Sequence, residues 1–384
     1  MILLISVSAR MLAELAVREG HDVVALDRFG DLDLQALCPS VSILRDLGGE
    51  GGMTQLVQAA GLIPAESVVY GAGLENRPDL VARLSAGRTL LGCTPETLRH
   101  VRDPALLGAA LRAVGLAYPR TFPAAEAAQA DRARRWLRKP VLGGGGRGVR
   151  DWRGGRLSDD LVVQERISGV ACSAAAVADG HSAALLGVSE QLIGRRSLGA
   201  RGYSWCGNLA PPRWPLGARH ALIDELRAIC AHLAAAFGLR GLFGVDVVWD
   251  GKRAWVVEVN PRPTASLETI DAAHGVRSFA AHLEACAGRL PPAGTTPALA
   301  DPSVAAGKAV LRATEALRVP DTRDWGARGI SDVPHPGEAI AAGHAVCTLV
   351  ATGGTPEAVL ADLEARGAGL REELHDRVAL DALA

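Results

Sequence analysis

The first thirty residues constrain the fold most. MILLISVS, ARMLAELAVREG and HDVVALDRFG read as a strand, a helix closed by Gly20 and a second strand. Strands joined through a helix run parallel, because an antiparallel return needs only a tight turn whereas a parallel one needs a crossover. Residues 1–95 are therefore expected to form a doubly wound α/β domain, with SVVYGAG at 67–73 as a later strand of its sheet. The first turn, Ser6-Val7-Ser8-Ala9-Arg10, lacks the glycines that let a dinucleotide approach the backbone. A bound NAD is not expected.

A chain of 384 residues exceeds one hydrophobic core, so more than one domain follows. With 48% hydrophobic and 22% charged residues it has the balance of a soluble globular protein. No stretch reaches the roughly 18 apolar residues of a membrane helix. MILLISV lacks a basic leader and soon meets Arg10 and Glu14, so neither a span nor a signal peptide is expected, and the cytoplasm is the expected compartment. A net charge of −1 and 4% aromatic residues supply neither a phosphate-neutralising surface nor base-stacking platforms. Nucleic acid is not an expected partner; assembly into a homo-oligomer stays open. Seven cysteines (38, 93, 172, 206, 230, 286, 347) contain no C-x-x-C pair and read as buried free thiols. Lysine occurs only at 139, 252 and 308, so each invites a reason where arginine serves elsewhere.

Beyond residue 95, TPETLRHVRDPALLGAALRAVG reads as helical, and RWLRKPVLGGGGRGVRDWRGG as a strand, a glycine loop and a second strand. VVQERISG is a further strand, and ACSAAAVADGHSAALLGVSEQLIG reads as short β segments. ARHALIDELRAICAHLAAAFG is a long amphipathic helix. The Pro- and Gly-rich stretch 287–305 reads as a connector, followed by a small C-terminal subdomain at 306–384 with a strand (AVCTLVATG) and a helix (TPEAVLADLEARG).

The chemistry gathers in a hairpin. GLFGVDVVWDG and KRAWVVEVNP are apolar runs separated by Asp250-Gly251. Alternation places Glu258 and Asn260 on one face. Asp246 joins them only if the loop is odd in length: five residues, Asp250 to Ala254, would set it opposite Glu258, and two would turn it away. If the three converge, two carboxylates and an amide oxygen suit Mg²⁺ or Mn²⁺ with positions left for phosphate oxygens. Otherwise Glu258 and Arg262 form a strand-end ion pair. The run Gly143, Gly144, Gly145, Gly146, Arg147 and Gly148 offers unshielded backbone N–H groups to phosphates, or is merely a mobile hairpin tip. Lys139 precedes it by four residues, within reach of the same phosphate as a point charge.

Taken in order, K-P-x-x-G-G-G-G-R-G, Q-E-x-x-x-G, G-V-D-x-x-x-D-G and E-V-N-P-R-P resemble the ATP-grasp superfamily. The tail beyond 306 looks like the C-terminal subdomain of its biotin-carboxylase-like branch. The resemblance implies a Rossmann-like domain (1–95), an ATP-grasp domain (96–290) with a flap at about 118–165, and ATP bound between subdomains. Lys139 and Gly143 to Gly148 would hold phosphates. Gln164, Glu165 and Ile167 would line the adenine, and Asp246, Glu258 and Asn260 would ligate Mg²⁺ or Mn²⁺. Arg262 would steady the transferred phosphate. One departure is Asp103-Pro104, where many relatives carry Asp-Lys with a second phosphate-binding lysine; either Arg99 or Arg102 substitutes, or nucleotide affinity is reduced.

The implied reaction activates a carboxylate as an acyl phosphate for attack by an amine. Small-molecule carboxylate and amine substrates are thus the expected partners, with Ser8, Arg10, Glu75, Asn76, Arg201, Tyr203 and Asn208 as candidate acceptor contacts. His274 and His282 read as packing or surface histidines. The wording of N-P-R-P-T-A-S-L-E resembles a subgroup associated with tetrahydromethanopterin-type C1 carriers, which implies ligation during assembly of such a cofactor. A carboxylase working through carboxyphosphate and a non-catalytic ATP-driven switch are the alternatives.

Overall fold

The computed structural model describes residues 1–49, 51–214, 216–292, 302 and 304–381, so part of the expected connector lies outside the described residues. The N-terminal strands β1 (Ile2–Ile5), β2 (Val23–Asp27), β3 (Ser40–Ser42), β4 (Ser67–Tyr70) and β5 (Thr89–Leu90) form one parallel sheet in the order 3-2-1-4-5. Helices α1 (Arg10–Arg18), α2 (Leu32–Leu37), α3 (Met53–Ala60) and α4 (Pro78–Leu84) connect them. In this order the chain reverses direction across the sheet between β1 and β4, and a crevice opens beyond the carboxyl ends of those two strands. The turns there carry Ser6 to Arg10 and Gly71 to Asn76.

The expected helical stretch splits into α5 (Pro95–Val101) and α6 (Pro104–Ala113). Pro104 cannot continue α5 but fits the first position of a new helix, whose N–H groups at Ala105 and Leu106 are capped by the Asp103 carboxylate. Next comes a four-stranded antiparallel sheet ordered 6-9-7-8, from β6 (Thr121–Pro123), β7 (Trp136–Pro140), β8 (Arg150–Trp152) and β9 (Leu161–Glu165). The glycine loop joins β7 to β8.

The largest element is an eight-stranded sheet, ordered 14-13-10-11-12-15-19-17. It contains β10 (Val170–Asp179), β11 (Ala183–Ile193), β12 (Trp205–Ala210), β13 (Arg240–Trp249), β14 (Ala254–Asn260) and β15 (Ala305–Arg312). Beyond β16 (Leu317–Arg318) it adds β17 (Ile330–Ser331) and, after β18 (Ala339–Ile340), β19 (Ala345–Gly353). Residues 170–193 are therefore two long strands rather than short segments; their runs of alanine and small residues are buried on both faces, which hides the alternation that marks a half-exposed strand. The C-terminal residues do not stand apart either, because β15 pairs with β12 and extends the sheet.

The long helix α7 (Leu216–Phe237) packs on this sheet, α8 (Leu267–His274) and α9 (Ser278–Cys286) follow the hairpin, and α10 (Pro356–Asp381) covers β15 and β19. One continuous core runs from Leu3 and Val68 of the parallel sheet through Leu98 and Leu107 of α5 and α6 to Val245 and Val256 of the hairpin. At about 1.5–3 kcal/mol for each fully buried aliphatic side chain, such a core holds the first domain firmly on the second. The seven cysteines are all free thiols, five of them buried.

Candidate active site

Asp246 does stand opposite Glu258, by a route the loop length did not foretell. Trp249 pairs with Ala254, leaving a four-residue loop, which on its own would turn Asp246 to the other face. A bulge at Val257 adds the missing residue and restores the shared face. The bulged carbonyl is held by Lys139, whose Nζ donates to Val257 O at 2.6 Å. A cation of the flap thereby fastens the irregularity that aligns the carboxylates.

Asn260 donates to Asp246 Oδ2 at 3.1 Å, and Arg262 Nη2 donates to Asn260 Oδ1 at 3.3 Å. Burial and the facing Glu258 push Asp246 up to about 6, against a hydrogen bond from Ser173, the Arg262 charge and the Asn260 bond. Burial also acts to raise Glu258, but Lys139 and Arg102 outweigh it and hold its carboxyl below the usual range. Burial draws the Lys139 ammonium down, partly offset by Glu258. The donors are hard oxygens, and the ion-starved Asp246 fits a divalent cation. Among the described residues no trio of His, Cys, Asp or Glu gathers around a point, so the third donor in such a site is the Asn260 amide.

Of the two arginines near Asp103-Pro104, Arg102 is the one that reaches Glu258. It closes α5, donates Nη1 to Glu258 Oε1 at 2.6 Å and to Val259 O, and reaches Asn76 Oδ1 at 2.9 Å and Gly143 O at 2.8 Å through Nη2. Its Nε is buried without a partner. Arg102 thus lies two residues before the position where many relatives carry that lysine, and Arg99 is exposed.

Lys139, Asp246, Glu258, Asn260 and Arg262 line one cavity of about 1510 Å³, together with Gly143 to Gly148, Gln164, Glu165 and Ile167; Arg102 is not among its lining residues. The glycine loop is docked: Trp205 N donates to Gly145 O, and a Cβ on Gly146 would lie 1.8 Å from Tyr203 O. Gln164 turns its amide to Thr121, and Glu165 faces Arg134 at 3.4 Å.

The acceptor candidates divide. Ser8, Arg10, Glu75, Asn76, Tyr203 and Asn208 line the cavity; Arg201 is exposed and does not. Glu75 is committed to Arg262 Nε at 2.8 Å and to Gly73 N, and Asn208 to Ser189 and Trp205. Arg10 is fully buried among carboxylates, donating to Glu14, Glu268 and Asp332. Lys308 completes this cluster at 2.5 Å from Glu268. Its scarcity in the sequence singled the lysine out, but Glu268 and Asp332 gave no local signal. His282 is a packing residue: Nδ1 accepts from Leu242 N, and burial lowers its pKa to about 4.

Residues 102–266 match the family model of the ATP-grasp domain. The chain carries an ATP-grasp domain. Residues 326–379 match a protein family of unknown function. The carbamoyl phosphate synthase large chain of Rubrobacter xylanophilus is 27% identical over 239 residues, covering 55% of this chain but only 21% of its own length. The biotin carboxylase domain of Hydrogenobacter thermophilus 2-oxoglutarate carboxylase, in complex with MgADP, ADP and bicarbonate, superposes at TM-score 0.71 and 15% identity over 94% of this chain and 88% of that one. The L-amino acid ligase of Bacillus licheniformis does so at 0.66 and 15%, over 98% and 96%. At these identities the likeness concerns the fold. No described helix is long and apolar enough to cross a membrane.

Proposed function

We propose that this protein is an ATP-dependent ligase that activates a small carboxylate as an acyl phosphate and joins it to an amine. The pairing of Asp246 with Glu258, beside Asn260 and Arg262 and facing Lys139, carries this reading. ATP would lie between the glycine loop and the large sheet. Lys139, Arg102 and the N–H groups of Gly143 to Gly148 would bind its phosphates, with Gln164, Glu165 and Ile167 along the adenine. Asp246, Glu258 and Asn260 would hold Mg²⁺, which when bound offsets phosphate charge.

In the first step a carboxylate oxygen of the substrate bonds to the γ-phosphorus and the bond to the β-phosphate oxygen breaks, releasing ADP. Arg262, fixed by Glu75, balances the charge that develops on the transferred group. In the second step the amine nitrogen bonds to the acyl carbon, the carbon–oxygen bond to phosphate breaks, and the nitrogen loses a proton. Docking of the glycine loop on Tyr203 and Trp205 excludes water that would hydrolyse the intermediate. Amino acids and pterin acids are natural carboxylates to try, the latter from the likeness to C1-carrier biosynthesis.

The fold match to a domain bound to MgADP and bicarbonate favours one second reading, carboxylation through carboxyphosphate. ADP release, followed across amino acids, pterin acids and bicarbonate with and without amines, separates the two. Turnover that requires an organic acid and an amine supports the ligase. A bicarbonate requirement overturns it in favour of the carboxylase, and tight ATP binding without turnover overturns both.

A further inference from the structure

Away from the glycine loop, the same cavity ends against Asp31. Asp31 is 8% exposed and occupies the N-cap position of α2, yet its side chain makes no capping bond. The neighbouring carboxylates are all engaged. Asp27 accepts from the N–H groups of Ala9 and Gly30, Asp33 from those of Asp332 and Val333, Asp332 from Arg10, and Glu338 from Arg45. Of the nearby cations, Arg10 is saturated and Arg45 holds Glu338 and Phe29 O, while Arg28 lies over the Phe29 ring, its buried Nε without a hydrogen-bond partner. Among the described carboxylates of this group, Asp31 alone has no hydrogen-bond or ion-pair partner. Burial first, and then Asp332, Asp27, Asp33 and Glu338, push it well above the ordinary carboxylate range.

A buried carboxylate among like charges is costly unless a cation meets it. No described trio of acidic, His or Cys side chains could hold a metal there. The surroundings are partly apolar instead. Leu32 N bonds to Val333 O and His335 to Gly30 O, so the loop carrying Pro334 lies directly against the Asp31 segment, and Phe29 and Ile340 line the same cavity.

We propose that this end of the cavity is the subsite for an ammonium group of the ligase's amine substrate, one that stays protonated while a second, neutral nitrogen reacts, with Asp31 as counter-ion and Phe29, Pro334 and Ile340 seating an alkyl or aryl-alkyl body. The inference rests on the ligase reading for the word substrate, but binding can be read without turnover. Calorimetric titration of the full chain at neutral pH would use methylamine, n-butylamine, n-hexylamine and benzylamine, with n-hexanol and Mg²⁺ as controls. Affinity rises with chain length among the amines, and n-hexanol binds at least ten-fold more weakly than n-hexylamine. Asp31→Asn removes that ten-fold preference while ATP affinity and melting temperature do not fall.

Equal binding of n-hexanol and n-hexylamine to the unaltered protein overturns the subsite without recourse to any variant. So does a flat chain-length series, binding of Mg²⁺ that Asp31→Asn abolishes, or retention of the amine preference in Asp31→Asn. The two proposals fail separately. Amine binding that Asp31→Asn abolishes, in a protein that never forms ADP with acid and amine, keeps the subsite and removes the ligase. Ligation whose amine KM is unchanged in Asp31→Asn keeps the ligase and removes the subsite.

Discussion

Glu75 grips Arg262 at 2.8 Å across 187 positions of sequence, with both side chains largely buried. The carboxylate comes from the β4 turn of the parallel sheet and the guanidinium from the turn after β14, so the pair joins two domains at the centre of the site. Tyr70 reinforces the junction by donating to Pro261 O at 3.0 Å. Glu75 was a candidate contact for the acceptor; its engagement makes it a positioning residue for Arg262 instead.

Charge-assisted hydrogen bonds contribute about 1.5–3 kcal/mol, so Glu75→Ala lowers kcat by roughly ten- to a hundred-fold. The KM for ATP stays near its original value, because Glu75 touches none of the groups expected to hold the nucleotide. Glu75→Gln, which keeps an acceptor, recovers part of the rate. Steady-state kinetics check this split; an equal rise in both KM values with unchanged kcat points to general loosening of the fold.

Arg102 bridges Glu258 and the flap carbonyl of Gly143. Arg102→Ala removes that bridge and a cation from the expected phosphate site. Its KM for ATP rises roughly ten- to a hundred-fold on the same scale of charge-assisted bonds, and Arg102→Lys restores part of it, since an ammonium supplies the charge but not the two-ended fork. Nucleotide titration by calorimetry reads this directly. An Arg102→Ala variant with unaltered ATP affinity shows that the departure at Asp103-Pro104 has no substitute here.

Gly146 carries a φ of +73° and has no room for a Cβ beneath Tyr203 O. A left-handed conformation costs a non-glycine residue roughly 1–2 kcal/mol, and the clash adds to it. Gly146→Ala therefore favours an undocked loop and lowers ATP affinity by about ten-fold or more, with faster loss of acyl phosphate to water. ADP formed in excess over ligated product measures the leak. Gly144→Ala is the control, with open space at its Cβ and an ordinary φ.

Much of this is legible in the sequence. The β-α-β opening fixed a parallel sheet, because each apolar run was bounded by a clear helix stop or turn. The hairpin was legible as strands but not in register, because a bulge leaves no mark when the extra residue, Val257, is the same β-branched type as its neighbours. The sequence leaves Arg102 as one of two arginines; its aim at Glu258 depends on where Pro104 ends α5, and that is a matter of three dimensions. The ionic cluster of Arg10, Glu268, Lys308 and Asp332 is legible only in part: Lys308 stands out by its scarcity and Arg10 as a candidate contact, but the members lie far apart in sequence, and Glu268 and Asp332 look like ordinary surface charge. What brings them together is the entry of β15 into the large sheet.

That cluster sets an acid limit on stability. Burial acts to raise Glu268, but Arg10 and Lys308 overcome it and hold the carboxyl at about 2, and Asp332 is likewise held far below the usual range by Arg10. A depressed carboxyl stabilises the fold fully above its unfolded value near 4.5 and loses that contribution as pH falls through the folded value. The shift at Glu268 corresponds to about 3 kcal/mol. Glu268→Gln leaves Arg10 and Lys308 without this partner, so the variant melts well below the original protein at pH 7. Between pH 4.5 and about 2 the gap closes, because the unsubstituted side chain becomes neutral as well. Urea melts of the two proteins across that window check the sign; a gap that stays constant below pH 4.5 shows that Glu268 acts by its shape rather than its charge.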